Sequence, residues 1–249
     1  MNLMIFDTET TSLDKPFCYN IGYVIVDENF NKLAERDFVC EQVWHNPMLF
    51  STAYYANKRD IYVRSMRGRA TTMDKFGYIC QAMIRDIKKF DIAAAYAYNS
   101  PFDERVFNFN CDWFKCNNPF DTIPIYDIRG YAQQFICDGV FKDWCETHEK
   151  FTESGNYSTT AETIYQYISE NIDFIEDHTA LSDSRIETDI LYNCVLLGAE
   201  LNTPYTVYKS LPRKQEKEFT VKKNGEIVYN TICESIRDMR TNNTVILKG

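Results

Sequence analysis

Leu3-Met4-Ile5-Phe6-Asp7-Thr8-Glu9-Thr10-Thr11 decides the reading of this chain. Met1 to Asp7 reads as a buried strand, and its apolar run ends in two carboxylates, Asp7 and Glu9. Side chains two apart on a strand point to the same face, so the pair can hold one cation or bridge two. Two further stretches repeat the theme. Tyr98-Asn99-Ser100-Pro101-Phe102-Asp103 follows a second apolar run, Ile92 to Tyr98. Pro101 suits the first turn of a helix, and Asp103 near its start favours the macrodipole. His178-Thr179-Ala180-Leu181-Ser182-Asp183 sets a histidine five residues before an aspartate. Carboxylates at the ends of buried strands repel each other and lose hydration, so they persist there for a reason. The simplest reason is a pair of divalent cations, hard ions that take oxygen ligands and together clamp a phosphate during in-line displacement.

Outward from these stretches, Tyr19 to Val26 reads as a strand, Asp27-Glu28-Asn29 as a turn, and Leu33 to Val43 as the third strand of an antiparallel meander. Thr71 to Phe90 places Met73, Phe76, Ile79, Cys80, Met83, Ile84 and Ile87 at helical spacing. Thr122 to Ile128 predicts another strand. Gly130 to Cys137, Val140 to His148 and Thr160 to Ile172 predict helices, and a last helix runs from near Leu181 to about Leu201. Strands first, then strands alternating with helices, make an α/β mixed sheet covered on both faces. Pro204, Pro212 and the charged run from Arg213 to Glu218 suggest a linker. Beyond it, Asn224-Gly225 between two apolar-alternating segments signals a hairpin, and Ile232 to Met239 one more helix. Residues 1–202 are therefore expected to form the main domain, and 203–249 an appendage.

Composition bounds the function. With 249 residues, 45% hydrophobic and 15% aromatic, the chain can bury a substantial core. No apolar run approaches the ~20 residues of a membrane helix. The start lacks a basic leader and cleavage site, and nine irregularly spaced cysteines contain no C-x-x-C pair. A cytoplasmic location with reduced thiols is expected, without a zinc site. A net charge of −9 opposes long-range tracking along nucleic acid. Yet Lys58, Arg59, Arg64, Arg67 and Arg69 cluster with only Asp60 opposing them, as either a solvated loop or a phosphate-contacting arm.

The three stretches, in this order, resemble the Exo I, Exo II and Exo III motifs of the DEDDh 3′→5′ exonucleases, a group that includes the proofreading subunit of bacterial DNA polymerase III and phage-encoded relatives. The resemblance covers roughly Met1 to Leu201 and implies a ribonuclease H-like, five-stranded mixed sheet flanked by helices. It implies that Asp7, Glu9, Asp103 and Asp183 hold two Mg²⁺ or Mn²⁺ ions about 4 Å apart, Asp7 bridging them. The tyrosine version of the family is excluded, because Thr179 stands where its tyrosine would be. His178 matches the histidine version and, with an ordinary pKa near 6.5, can take the proton of the attacking water at neutral pH.

On the substrate side the resemblance implies Thr8, Thr10, Leu13, Asn99 and Phe102, with Leu13 as a wedge against terminal bases. From the residues alone, Leu13, Phe102 and Phe107 read as core. Ser12 replaces the family's usual glycine, and Tyr98 stands where histidine is frequent. Asp177 could orient His178, and Asp189 reads as a surface acid. The expected activity is release of nucleoside 5′-monophosphates from 3′ ends of single strands, DNA favoured over RNA. The alternatives are a 3′→5′ exoribonuclease and a nucleic-acid-binding or polymerase-docking module. The appendage could dock a polymerase or support self-association; no membrane partner is expected.

Overall fold

The computed structural model describes residues 1–51, 53 and 56–213, and the backbone of two strands over 217–223 and 226–233. Two compact units divide the chain: residues 1–149 with 159–209, and residues 150–158 with 210–249.

The first unit opens with the expected meander, β1 (Asn2–Thr10), β2 (Cys18–Val26) and β3 (Lys32–Cys40). Two single helical turns, α1 (Glu41–Trp44) and α2 (Pro47–Phe50), lead through a 3₁₀ turn at Ala56–Lys58 into α3 (Arg59–Arg67). Then come β4 (Thr72–Asp74), α4 (Phe76–Lys89), β5 (Ile92–Ala97), α5 (Ser100–Phe114) and β6 (Ile125–Asp127). The helices α6 (Ile128–Phe135), α7 (Gly139–Thr147), α8 (Ala161–Ile168) and α9 (Ala180–Leu196) complete it. The strands form one mixed sheet in the order β4-β3-β2-β1-β5-β6, antiparallel across β1–β2 and β2–β3 and parallel elsewhere.

The sheet has six strands rather than the expected five. The added strand is β4, where Phe38, Val39 and Cys40 pair with Thr72, Met73 and Asp74 at the sheet edge. Those residues fit the helical period of Thr71 to Phe90, but ladder pairing with β3 outweighs it and the helix starts only at Phe76. The basic stretch, read as either a solvated loop or a phosphate-contacting arm, is mainly the helix α3. The helix after Thr160 stops at Ile168 instead of Ile172, and α9 stops at Leu196 instead of about Leu201, two residues before Gly198 takes a φ of 99°.

The central position of β1 explains its continuous apolar run. Leu3, Met4, Ile5 and Phe6 are all fully buried, because both faces of the strand are covered. Burying each such side chain contributes roughly 1.5–3 kcal/mol. Met4 and Phe6 join the core that includes Phe76, Ile79 and Met83 of α4 and Val106 and Phe107 of α5. By alternation, Leu3, Ile5, Asp7 and Glu9 turn to the opposite face, which α9 covers through its packing on β1 and β2. Two layers therefore meet at the C-terminal end of β1, each bringing one motif.

In the second unit, β7 (Lys217–Lys223) and β8 (Glu226–Cys233) pair antiparallel as the hairpin signal predicts. Asn224 and Gly225 lie outside the described residues. Ile232 and Cys233, assigned to a helix by sequence, close β8; the rest of that segment also lies outside the described residues.

Candidate active site

Motif by motif, the local fold is built to bring acids to the end of β1. Across the β1–β2 ladder, Asp7 faces Gly22 and Glu9 faces Asn20. Gly22 is indispensable to this geometry: a Cβ there would lie 2.1 Å from the Leu181 backbone nitrogen and 2.3 Å from the Ala180 carbonyl carbon. The start of α9 thus rests on bare strand backbone beside Asp7. Asn20, fully buried, accepts the Ala180 N–H at its Oδ1 (2.8 Å) and satisfies a donor that the helix start leaves unpaired. Tyr62 O–H donates to the same oxygen, and the Asn20 amide donates to Asp37 Oδ1 at 2.7 Å. Ser184 Oγ adds a bond to the Gly22 carbonyl at 3.0 Å.

At the other layer, Asn99 enters α5 with a left-handed φ of 63°, and its N–H donates to Asp127 Oδ1 at 2.9 Å. The Asp127 carboxylate also caps α6 through the Arg129 N–H. One aspartate therefore fixes the turn that delivers Asp103. Thr8, expected on the substrate side, has a buried hydroxyl that donates to Asp103 Oδ1 at 2.6 Å inside the protein. Strand alternation causes this, since Thr8 faces the α5 layer while its neighbours face α9.

Ligand atoms of Glu9, His178 and Asp183 lie within 4.8 Å of one another. Asp7 and Asp103 are close enough that charge repulsion from Asp7 raises the pKa of Glu9, Asp103 and Asp183. All five predicted catalytic residues thus share one site. Of the substrate-side residues, Leu13 is 74% exposed at the loop after β1, which removes it from the core. Asn99 is exposed, and Thr10 is half-buried with its hydroxyl donating to the Ser12 carbonyl. Phe102 is half-buried against the core under the Arg105 guanidinium, whereas Phe107 is fully buried.

Two acids, Glu187 and Glu176, were not singled out from sequence, and Lys58 was read there only as part of the basic stretch. Glu187 stands one turn after Asp183 on α9, 3% exposed, with its pKa raised by burial and then by Asp7, Asp103 and Asp183. Its i, i+4 spacing from Asp183 was the available signal. Glu176 Oε2 lies 3.6 Å from His178 Nδ1, the place considered for Asp177. Asp177 instead accepts the backbone and hydroxyl hydrogens of Thr179 at Oδ1. Lys58 Nζ donates to the Asp177 carbonyl, and its charge reaches both Glu9 and His178.

Burial dominates the electrostatics. It pushes Asp7 up to about 7 and, with Asp7 as the next cause, Asp183 up to about 10. Glu9 and Asp103 move the same way. Glu176 rises to about 7 through burial and Glu162. His178 moves oppositely: burial and then Lys58 lower it below its ordinary value, so its imidazole is neutral at pH 7. Asp183 Oδ1 and Glu187 Oε2 are buried with no hydrogen-bond partner. A buried, oxygen-rich donor set with orphaned carboxylate oxygens fits hard divalent cations.

A stability test follows from these signs. In the metal-free protein the folded state holds protons that the unfolded chain releases near pH 4. That contribution is complete below about pH 4 and is lost as pH rises through about 7 for Asp7 and about 10 for Asp183. The Tm of the chelated protein is expected to fall between pH 5 and pH 9, and Mg²⁺ or Mn²⁺ to raise it by about 5 °C or more at pH 8 and far less at pH 5. A thermal-melt series over pH, with and without metal, measures both; a flat response to either variable would count against a cation site.

No protein-family model and no curated protein matches the chain. Solved structures do. A full-length 3′-exonuclease superposes with a TM-score of 0.55 at 12% identity, covering 85% of this chain and 97% of the other. A 3′-exonuclease solved in recognition of the histone mRNA stem-loop gives 0.54 at 12% identity, over 85% of this chain and 74% of that one. The nuclease domain of 3′hExo, a DEDDh family member bound to rAMP, gives 0.50 at 13% identity, over 84% and 97%. The chain has the ribonuclease H-like fold of the DEDDh 3′ exonucleases. Within that fold, Asp7 and Glu9 lie at the end of β1, and Asp103 and Asp183 in the first turns of α5 and α9. Among the described residues no helix is long and apolar enough to cross a membrane.

Proposed function

We propose that this chain is a metal-dependent 3′→5′ exonuclease of the DEDDh type, releasing nucleoside 5′-monophosphates from single-stranded 3′ ends. The observation that carries this reading is the meeting of Glu9, His178 and Asp183 within 4.8 Å, beside Asp7 and Asp103, at the end of β1. Bound Mg²⁺ or Mn²⁺, held as a pair by Asp7, Glu9, Asp103 and Asp183, would stabilise charge on the phosphate and make water more acidic. His178, neutral at pH 7 and with Nδ1 turned to Glu176, accepts the proton of the attacking water. The exposed Leu13 meets the terminal base, and the exposed Arg64, Arg67 and Arg69 on and just after α3 are available to the incoming strand's phosphates. The motif resemblance to proofreading subunits favours DNA over RNA.

The decisive experiment is degradation of matched 5′-labelled single-stranded DNA and RNA with Mg²⁺, Mn²⁺ or chelator. A ladder shortening from the 3′ end, abolished by chelator and in Asp7→Ala, is expected, and the relative rates assign the sugar. No metal-dependent shortening of either strand would overturn the proposal.

Lys58 supplies a subtler check. Replacing it with methionine removes a positive charge that lowers the His178 pKa. The acidic limb of the kcat/KM profile should then move up by roughly half a unit, while the fold is kept. An unmoved limb would separate Lys58 from His178.

A further inference from the structure

Outside the acidic site, three thiols meet. Cys80 lies on α4, Cys111 in the last turn of α5 and Cys116 just after it, and their sulfurs are all within 4.8 Å of one another. The three form a closed set, each thiol close enough to the other two to shift their acidity. Cys116 reaches this position through the end of α5. Lys115 adopts a left-handed φ of 55°, and the Cys116 N–H then folds back onto the Cys111 carbonyl at 3.1 Å. A left-handed backbone costs a lysine about 1–2 kcal/mol, and here it turns the third sulfur inward. Cys80 and Cys111 are buried, whereas Cys116 is partly exposed, which leaves a path from solvent.

We propose that Cys80, Cys111 and Cys116 form a binding site for one thiophilic metal ion, Zn²⁺ or Cu⁺, held by three thiolates. Metal–sulfur bonds of about 2.3 Å would set the sulfurs roughly 3.8–4.0 Å apart, for tetrahedral to trigonal angles. The sulfurs, all within 4.8 Å of one another, are within about 1 Å of that spacing. Soft thiolates and the lack of an oxygen or nitrogen ligand among the three select against Mg²⁺ and Mn²⁺. Zn²⁺ would complete its shell with solvent on the Cys116 side; Cu⁺ needs no fourth ligand. Binding exchanges three S–H bonds for three metal–sulfur bonds and releases three protons, with no change of oxidation state. The ion would tie α4 to the far end of α5, the helix whose first turn carries Asp103. The sequence spacing concealed this site, since no two of these cysteines form a C-x-x-C pair.

The test uses the full, reduced chain. Co²⁺ as a probe should produce the intense near-ultraviolet thiolate-to-metal band, which carboxylate or histidine ligation at the other site cannot give. Zn²⁺ should abolish that band by competition, and a Cu⁺ titration under anaerobic reducing conditions reports the other ion. Either metal should slow alkylation of Cys116 by iodoacetamide at least about tenfold. Cys116→Ser, which changes a partly exposed position after the helix, should lose the band and keep its circular dichroism; Cys137→Ser should keep both. A folded protein with no thiolate band and unchanged Cys116 alkylation overturns the site. So does a disulfide among the three that forms readily while the reduced chain takes up neither metal.

Discussion

Replacing His178 with alanine is expected to lower kcat on a single-stranded 3′ end by about 10²- to 10⁴-fold, the range attributable to a positioned general base. The imidazole is held on a backbone φ of 51°, in the left-handed region, so the structure maintains a strained residue there. Lys58 and burial keep it neutral, and Glu176 lies against its Nδ1. The substitution should also remove the acidic limb of the pH–rate profile, because the group that must be deprotonated is gone. The metal-induced rise in Tm should survive in large part, since the carboxylates remain. Single-turnover kinetics over pH 5–9 beside thermal melts measures both. A variant with parental kcat, or one whose acidic limb persists unchanged, would remove His178 from the mechanism.

Gly22→Ala should have a comparably large effect through stability. The added Cβ would meet backbone atoms of Leu181 and Ala180 at 2.1 and 2.3 Å, and backbone cannot rotate out of the way. Overpacking typically costs about 1–3 kcal/mol and more where nothing can yield, so a loss of at least about 3 kcal/mol is expected from urea denaturation. Where the protein still folds, α9 must shift, and Asp183 and Glu187 with it. A displacement of about 1 Å at a reacting centre costs on the order of 10²-fold in rate. Gly139→Ala is the control, because a Cβ there has nothing within 4 Å and should leave stability within about 1 kcal/mol. Parental stability and activity in Gly22→Ala would refute the close docking of α9 on β2.

The residues proposed to act chemically were more legible than those that aim them. Asp7, Glu9 and Asp103 are costly carboxylates after apolar runs, and His178 stands five residues before Asp183; both signals are visible in one dimension. Thr8 is not: its type and neighbours match a substrate contact, and only the two-layer packing shows its hydroxyl turned to Asp103. Asn20 looked like any polar strand residue until α9 arrived to use it as a cap. Gly22 carried a usable signal, since an isolated glycine in a strand often marks a close backbone approach. The short β4 was hidden for another reason. Three residues hold too little local preference to outweigh a long helical period, and their partner in β3 is more than thirty positions away. The three thiols around Cys111 likewise converge only when α4 and α5 pack.

The docking of α9 on β2 also bears on how the proposed nuclease would be made. Ala180 and Asn20 are 160 residues apart, and Asp183 follows Ala180. At 5–20 residues per second, a ribosome needs on the order of ten seconds between exposing the first acids and the last. Throughout that interval the nascent chain carries Asp7 and Glu9 without the partners needed to cut. On the proposed function, a nuclease assembled in this order would stay harmless to the nucleic acids around its own ribosome until α9 has emerged and settled on Gly22.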